Sequence, residues 1–419
     1  MLKYKYLKYK KKYKLLKYQI GGNDQTLQFI GEGGYGCILC PPIILLNPIE
    51  ILEQTPEYNK MLNNCNYVGK ILRLRNHSIK NDNFEDEYEK LQIIKDLDPN
   101  GEYTPKFIFA GKYNGDELKF TLEILKDMDD FDQKILNCVI NKINNNENYG
   151  YIITKNVGKS LDKIFYRSNT ILSNNDNVRL FLKEFQNLLQ FLKILYDQDI
   201  LHLDIKSNNI TKLNGNTAKM NFIDFGRLIK LKERDNFKYI IKTYLYQSHY
   251  MYSFEPKLIN NLYNDIPNKK ILLENFIQIV EQSFDEAFNN FISSNIHPVY
   301  NHIFHNLSEI KNNLKKTLDD YLSNALAMYV IDFNDFNKEQ NTDRLINYIF
   351  YPIIKKYDMY CMGIVLYEIM IYNNQYYSNY KQNFKISLEK LIKSLLLNKI
   401  NNVNDFTDQI EELKNLDIL

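Results

Sequence analysis

Cysteine is scarce and oddly numbered in this chain, with five in 419 residues and no repeated spacing. Such a set argues against a disulfide framework and for a reducing compartment. Cys37 and Cys40 form a CxxC, but a zinc site needs a second ligand pair and a redox motif needs a thioredoxin-like context. The pair reads as strand residues beside a glycine turn. Long apolar runs are missing too. GIVLYEIMIY at 363–372 is among the longest, well short of the roughly 18 residues that span a bilayer, so no transmembrane helix is expected. An N-terminal secretion signal is not expected either, because the first twenty residues interleave lysine and tyrosine without an apolar core.

A basic excess is confined to the start. Residues 1–20 hold eight lysines and no acid, which leaves 45 basic against 51 acidic residues elsewhere and a local net charge of about −6 behind the overall +2. Nothing beyond this segment suggests base readout, so a nucleic-acid partner is not expected. Within it Leu2, Tyr6, Tyr9, Tyr13, Leu16 and Ile20 recur at helical spacing, and Gly21-Gly22 follows. A basic amphipathic helix over 1–22 is expected. It packs on its own domain, or meets an anionic membrane surface or a protein partner.

The remainder is ordinary globular material, 44% hydrophobic and 25% charged, long enough for about two to three domain-sized units. Strands with a glycine turn between them are expected over 27–39, with a further strand over 66–73 and a helix over 83–97 closed by Asp98-Pro99-Asn100. More strands follow at 106–112 and 150–155, separated by a polar, partly helical stretch. After Gly158 helices dominate. Phe181, Phe185, Leu188, Leu192 and Leu195 mark a long amphipathic helix ending near Tyr196, several helical segments fill 257–350, and the last helices lie near 358–371, 384–398 and 405–416.

Gly31-Glu32-Gly33-Gly34-Tyr35-Gly36 fits GxGxxG, with Ile38 as the apolar residue that follows. Alone this is a weak signal, since a turn between strands needs only conformational freedom. A dinucleotide fold would continue into a helix, whereas Cys37-Ile38-Leu39 looks like strand, which favours a hairpin over phosphates. Lys70, in YVGKIL, sits in an apolar strand where an ammonium needs a partner. Phosphate oxygens or a helix carboxylate would serve, and Glu87 and Glu89 are both candidates. Gly158-Lys159-Ser160 is not a P-loop, because Ile153 stands where its first glycine belongs.

The segment His202-Leu203-Asp204-Ile205-Lys206-Ser207-Asn208-Asn209, followed by Asp224-Phe225-Gly226, carries the strongest signal. A carboxylate, a lysine two residues on and an amide five residues on suit a loop that orients a hydroxyl, neutralises a phosphate and binds a metal. Together these motifs resemble the protein kinase superfamily, in the right order from about 27 to 371.

That resemblance implies an α+β, two-lobed protein kinase-like fold. A small β-rich lobe with one main helix would cover 23–157, and a larger helical lobe 158–419, with a helical insertion over about 257–350. It implies ATP and Mg²⁺ as cofactors and a protein substrate. Gly31, Gly33 and Gly36 would cover the phosphates, with Glu32, Gly34, Tyr35 and Ile38 in the same hairpin. Lys70 would contact the α- and β-phosphates, Asp204 would orient the acceptor hydroxyl and take its proton, Lys206 would stabilise the γ-phosphoryl group, and Asn209 and Asp224 would hold Mg²⁺. Thr154, Lys155 and Asn156 would read adenine through their backbone. Asp358, opening DMYCMG, would begin the buried helix that supports the catalytic loop.

The departures from the family pattern are specific. Leu203 replaces the usual arginine, so activation through a phosphorylated segment is not expected. Gly69 and Val68 precede Lys70 where isoleucine and alanine are common, and a long insertion separates Gly36 from Lys70. Ser253-Phe254-Glu255 is a weak counterpart of APE, and no arginine after Arg344 remains to pair with Glu255. With the N-terminal helix, these features resemble kinases of large cytoplasmic DNA viruses of protists, which implies the host cytoplasm and the virion as locations. Lys206 favours serine/threonine over tyrosine transfer. A pseudokinase scaffold is the alternative, with a small-molecule kinase behind it.

Overall fold

The computed structural model describes residues 28–33, 36–43, 48–60, 65–74, 84–116, 118, 134–135, 137–138, 148–167, 172–213, 219–231, 254–265, 270–271, 273–293, 298–304, 306–333, 340–397 and 403–419. The basic helix expected over 1–22 lies outside them, as do Gly34, Tyr35, Ser253 and most of the polar stretch before 148. The chain divides into two compact units, Met1–Gly158 and Lys159–Leu419.

The first unit is built on a six-stranded sheet of strands β1 (Gln28–Gly33), β2 (Gly36–Cys40), β3 (Pro48–Gln54), β4 (Tyr67–Arg73), β5 (Phe107–Tyr113) and β6 (Tyr149–Lys155). Their order is β1-β2-β4-β6-β5-β3, and every neighbouring pair is antiparallel. Alternate residues face one side, as the two-residue pleat requires. They carry the buried cluster of Cys37, Leu39, Ile71, Phe109, Tyr113, Tyr149, Tyr151 and Ile153. Strand β3 is the element that sequence reading missed, having passed over 40–65 as insertion. The alternating Pro48-Ile49-Glu50-Ile51-Leu52-Glu53 was the signal available there.

Helix α1 (Phe84–Leu97) begins with Glu85, Asp86 and Glu87 and carries Lys95 in its last turn, charges that complement its dipole. Phe84, Leu91 and Ile94 are its buried stripe. The Asp98-Pro99-Asn100 stop is made by the buried Asp98 carboxylate, which accepts from the backbone N–H groups of Glu102 (2.7 Å), Tyr103 (2.9 Å) and Thr104 (2.9 Å).

The cysteines overturn the expectation of a reduced set. Cys37 is bridged to Cys138 and Cys40 to Cys65, while Cys361 is free and buried. The count is odd because one thiol belongs to the core of the second unit. The partners lie 101 and 25 residues apart in sequence, so folding alone brings them together.

In the second unit α2 (Leu161–Arg167) precedes α3 (Asn175–Asp197), whose cap residue Asn174 accepts from the N–H of Asn177 at 2.9 Å. Short strands β7 (Lys159–Ser160), β9 (Ile210–Lys212) and β10 (Met220–Phe222) form one sheet; β8 (Ile200–Leu201) and β11 (Ile229–Lys230) form another. The helical block follows: α4 (Glu255–Asp265), α5 (Leu273–Ser293), α6 (Pro298–Ile303), α7 (Leu307–Phe333) and α8 (Thr342–Ile354). Two-residue strands β12 (Lys270–Ile271) and β13 (Gln340–Asn341) clip it together. Helix α9 (Tyr357–Tyr367) is buried at every residue, as its all-round apolar sequence requires. Helices α10 (Gln382–Leu396) and α11 (Val403–Asn415) complete the unit. No helix among the described residues is long and apolar enough to cross a membrane.

Candidate active site

In the first unit the glycine hairpin places Gly33 opposite Gly36 and Gly31 opposite Ile38. Lys70 stands on the central strand β4, opposite Ile38 of β2 and Ile152 of β6. Its Nζ donates to both carboxylate oxygens of Glu87, at 2.6 and 2.7 Å, with both side chains largely buried. Glu89 is exposed on another face of α1. The open choice between the two carboxylates therefore falls to Glu87, which lies in line with the buried Leu91 and Ile94.

The glycine before Lys70 has a packing cause. A Cβ added to Gly69 would fall 2.6 Å from the ring carbon that bears the Tyr151 hydroxyl. Tyr151 is fully buried, its phenol pushed up by burial, and its ring fills the space an isoleucine would take. The segment Thr154–Asn156 is tied down locally. Lys155 N–H donates to Lys106 O (2.9 Å) and Asn156 N–H to Asn66 O (2.7 Å), while Asn156 Nδ2 reaches Cys65 O (2.7 Å). The Lys155 and Asn156 amides are thus engaged within the unit.

In the second unit Asp204 sits at the centre of a small polar group. Its carboxylate accepts from Lys206 Nζ, 3.0 Å from each oxygen, and from Asn209 Nδ2 at 2.7 Å; the same amide nitrogen reaches Asp204 O at 2.8 Å. With its nitrogen committed, Asn209 turns its amide oxygen away from Asp204. Asn209 and Asp224 lie at the same end of the β9–β10 hairpin, where Phe222 pairs with Ile210 and Ile223 N–H donates to Asn209 O at 2.9 Å.

Asp224 itself is exposed and left-handed (φ 61°, ψ 73°), a backbone state that costs a non-glycine residue of order 1–3 kcal/mol. A Cβ at Gly226 would approach its Oδ1 at 3.3 Å, so the glycine leaves the carboxylate room. Two carboxamide or carboxylate oxygens at one hairpin end suit a hard cation that takes its other oxygens from phosphate and water. Among the described residues there is no group of three or more His, Cys, Asp or Glu side chains able to hold a metal alone. The donor set therefore fits Mg²⁺ only in company with a nucleotide.

The loop is held from beneath. Asp358, at the start of α9 and almost wholly buried, accepts from His202 N–H at 2.6 Å and Leu203 N–H at 3.0 Å. Burial pushes its carboxyl above the usual range, against the two amides and the His202 ring, which lower it. Leu203 has φ 59° and is buried. His202 is fully buried, its ring centroid 5.0 Å from that of Phe225 and 5.6 Å from that of Phe222. After Phe225 the chain returns along β8, with Ile229 opposite Leu201.

No family model matches the chain, and neither does any curated protein. Among solved structures it is similar to the autoinhibited serine kinase domain of the giant muscle protein titin. The identity is 13%, the TM-score 0.30, and the alignment covers 49% of this chain and 45% of that one. The chain thus spans under half the length of that relative, and the residue geometry is what speaks for the site.

Proposed function

We propose that the chain is a serine/threonine protein kinase that transfers the γ-phosphoryl group of Mg-ATP to hydroxyls of protein substrates. The observation that carries this reading is the Asp204 carboxylate, bound at once by Lys206 and Asn209. A lone structural carboxylate needs neither a flexible lysine nor the amide five residues on. An acceptor hydroxyl placed against Asp204 loses its proton to that carboxylate as its oxygen bonds to the γ-phosphorus and the bond to the β–γ bridging oxygen breaks, releasing ADP. Lys206, already beside it, follows the transferring group and offsets its charge. Lys70, oriented by Glu87, holds the α- and β-phosphates, and the glycine hairpin offers backbone N–H groups to them. Asn209 and Asp224 would hold Mg²⁺, which supplies charge neutralisation at the phosphates when bound.

The choice of serine/threonine follows Lys206, and the narrower placement among giant-virus kinases, with its cytoplasmic or virion setting, follows the sequence features described above. The buried Leu203 in place of an arginine favours the second reading, a scaffold that binds nucleotide without transfer. A radiolabel assay with Mg-ATP and generic protein acceptors separates the two. Asp204→Asn should lower kcat by roughly 10²- to 10⁴-fold with nucleotide affinity nearly unchanged. Equal transfer by wild type and variant would remove Asp204 from this role. Absence of transfer by the wild type under varied metals and acceptors would favour the scaffold, and transfer only to small molecules a small-molecule kinase.

A further inference from the structure

Helix α1 must hold one rotation about its axis for Glu87 to meet Lys70. Phe84, Leu91 and Ile94 lie on the same stripe as Glu87, and beside it the Tyr88 ring meets Phe84 and Phe107 while Lys95 Nζ lies over Phe107. With side-chain ends about 5–6 Å from the axis, a roll of about 30° displaces a carboxylate by about 3 Å. That is enough to break bonds of 2.6 and 2.7 Å.

A second line of contact lies on the extra strand. Glu53 of β3 accepts from Gln92 Nε2 at 2.9 Å and from Lys95 Nζ, and Tyr88 lies beside the same carboxylate. The Tyr88 phenol is raised by burial and further by Glu53. Residues 88, 92 and 95 are spaced four and three, so they form one stripe, about 90° around the helix from the stripe of Glu87. Strand β3 is itself locked in the sheet, with Glu53 opposite Ala110 of β5. One carboxylate therefore bonds two positions of the helix, 92 and 95, at an angle to its core contact, which fixes the roll.

We propose that Glu53 is a positioning residue that holds α1 in the rotation at which Glu87 engages Lys70, so the insertion between the glycine hairpin and the lysine strand does work that an activating event would otherwise supply. This deepens the kinase reading and rests on it for its catalytic consequence, but its structural half stands apart from activity. Lys70 reactivity toward an amine-acylating reagent, N-acetoxysuccinimide, reads the ion pair directly, since a paired and largely buried ammonium acylates slowly.

In the full chain Glu53→Ala should raise the acylation rate of Lys70, followed by peptide mass spectrometry, at least about fivefold, toward the rate in Glu87→Ala. The double variant should add nothing further. Glu57→Ala, which removes an ion pair with Lys106 near the same edge, is the control and should leave Lys70 unchanged. Transfer should show a lowered kcat with little change in the KM for the acceptor. If Glu53→Ala fails to fold, Glu53→Gln, which keeps the shape and loses the charge toward Lys95, takes its place with the same expectation. Lys70 reactivity equal to wild type in both variants overturns the proposal. If the wild type transfers no phosphate, the kinase reading falls while the Lys70 comparison still decides the positioning role.

Discussion

Asp358→Asn is the sharpest probe of what supports the loop around Asp204. The carboxylate accepts two backbone N–H groups, one from a leucine held at φ 59°. A hydrogen bond to a charged acceptor is worth about 1.5–3 kcal/mol. The asparagine keeps one acceptor oxygen but turns an NH₂ toward the other amide, so one bond is lost and two donors face each other. The left-handed leucine, costing about 1–2 kcal/mol, is then less compensated. A net loss of about 3 kcal/mol is expected, a fall in Tm of about 6–12 °C for a unit of this size, read by calorimetry as the transition of the second unit.

The pH dependence adds a sign. The folded pKa of Asp358 is raised from its ordinary 3.8, chiefly by burial. Between the unfolded and folded values the folded chain binds the proton more readily. The wild type therefore gains stability from this group as pH falls through the folded pKa, fully below the unfolded one, and loses it as pH rises. Asparagine has no such contribution, so the gap between the two proteins should widen on acidification. A loss below about 1 kcal/mol would refute the argument that this buried carboxylate holds the loop.

Denatured without reductant, the protein should titrate a single thiol, that of Cys361, and five after reduction. Loop-closure entropy puts the loss on reducing the bridges at about 4.7 kcal/mol for the 101-residue separation and about 3.5 kcal/mol for the 25-residue one, read as a lower Tm of the first unit in dithiothreitol. Because Leu203 is buried and apolar, phosphatase treatment should leave transfer within about twofold; a large loss would show Arg227 or Lys230 answering a phosphate instead. Deleting residues 1–20 should leave peptide phosphorylation intact and weaken sedimentation with anionic vesicles, and equal sedimentation would remove the membrane from consideration.

The grouping of the candidate site was legible in the sequence where its members share a local element. The Asp204 to Asn209 spacing is a local loop, Asn209 and Asp224 share a hairpin, and the glycines share a turn. What escaped sequence reading depends on contact at a distance. Glu53 meets α1 across an inserted stretch, and its alternating strand resembles any polar loop until a neighbour pairs with it. The cysteines misled because parity says nothing when one thiol is packed in another unit. Glu87 and Glu89 stayed open because the stripe of Leu91 and Ile94 spoke for Glu87 and the distance to the Asp98-Pro99 turn for Glu89; the bond to Lys70 distinguishes them. Gly69 looked like a weakened motif, and its cause, the Tyr151 ring, lies on a strand far along the chain.

The seating of Tyr151 over Gly69 also constrains how this chain can drift. A side chain at 69 with the ring still in place overpacks a closed core, at a cost of about 1–3 kcal/mol or more. Truncating the ring first leaves a void worth about 3–5 kcal/mol. Either order of single steps crosses a valley, while the exchange of a large residue at 69 for a small one at 151 keeps the volume. The two positions should therefore behave as one character across descendants of this chain, switching together or not at all. A search pattern that demands a bulky residue before the lysine would pass over every lineage that settled on the tyrosine side of that exchange.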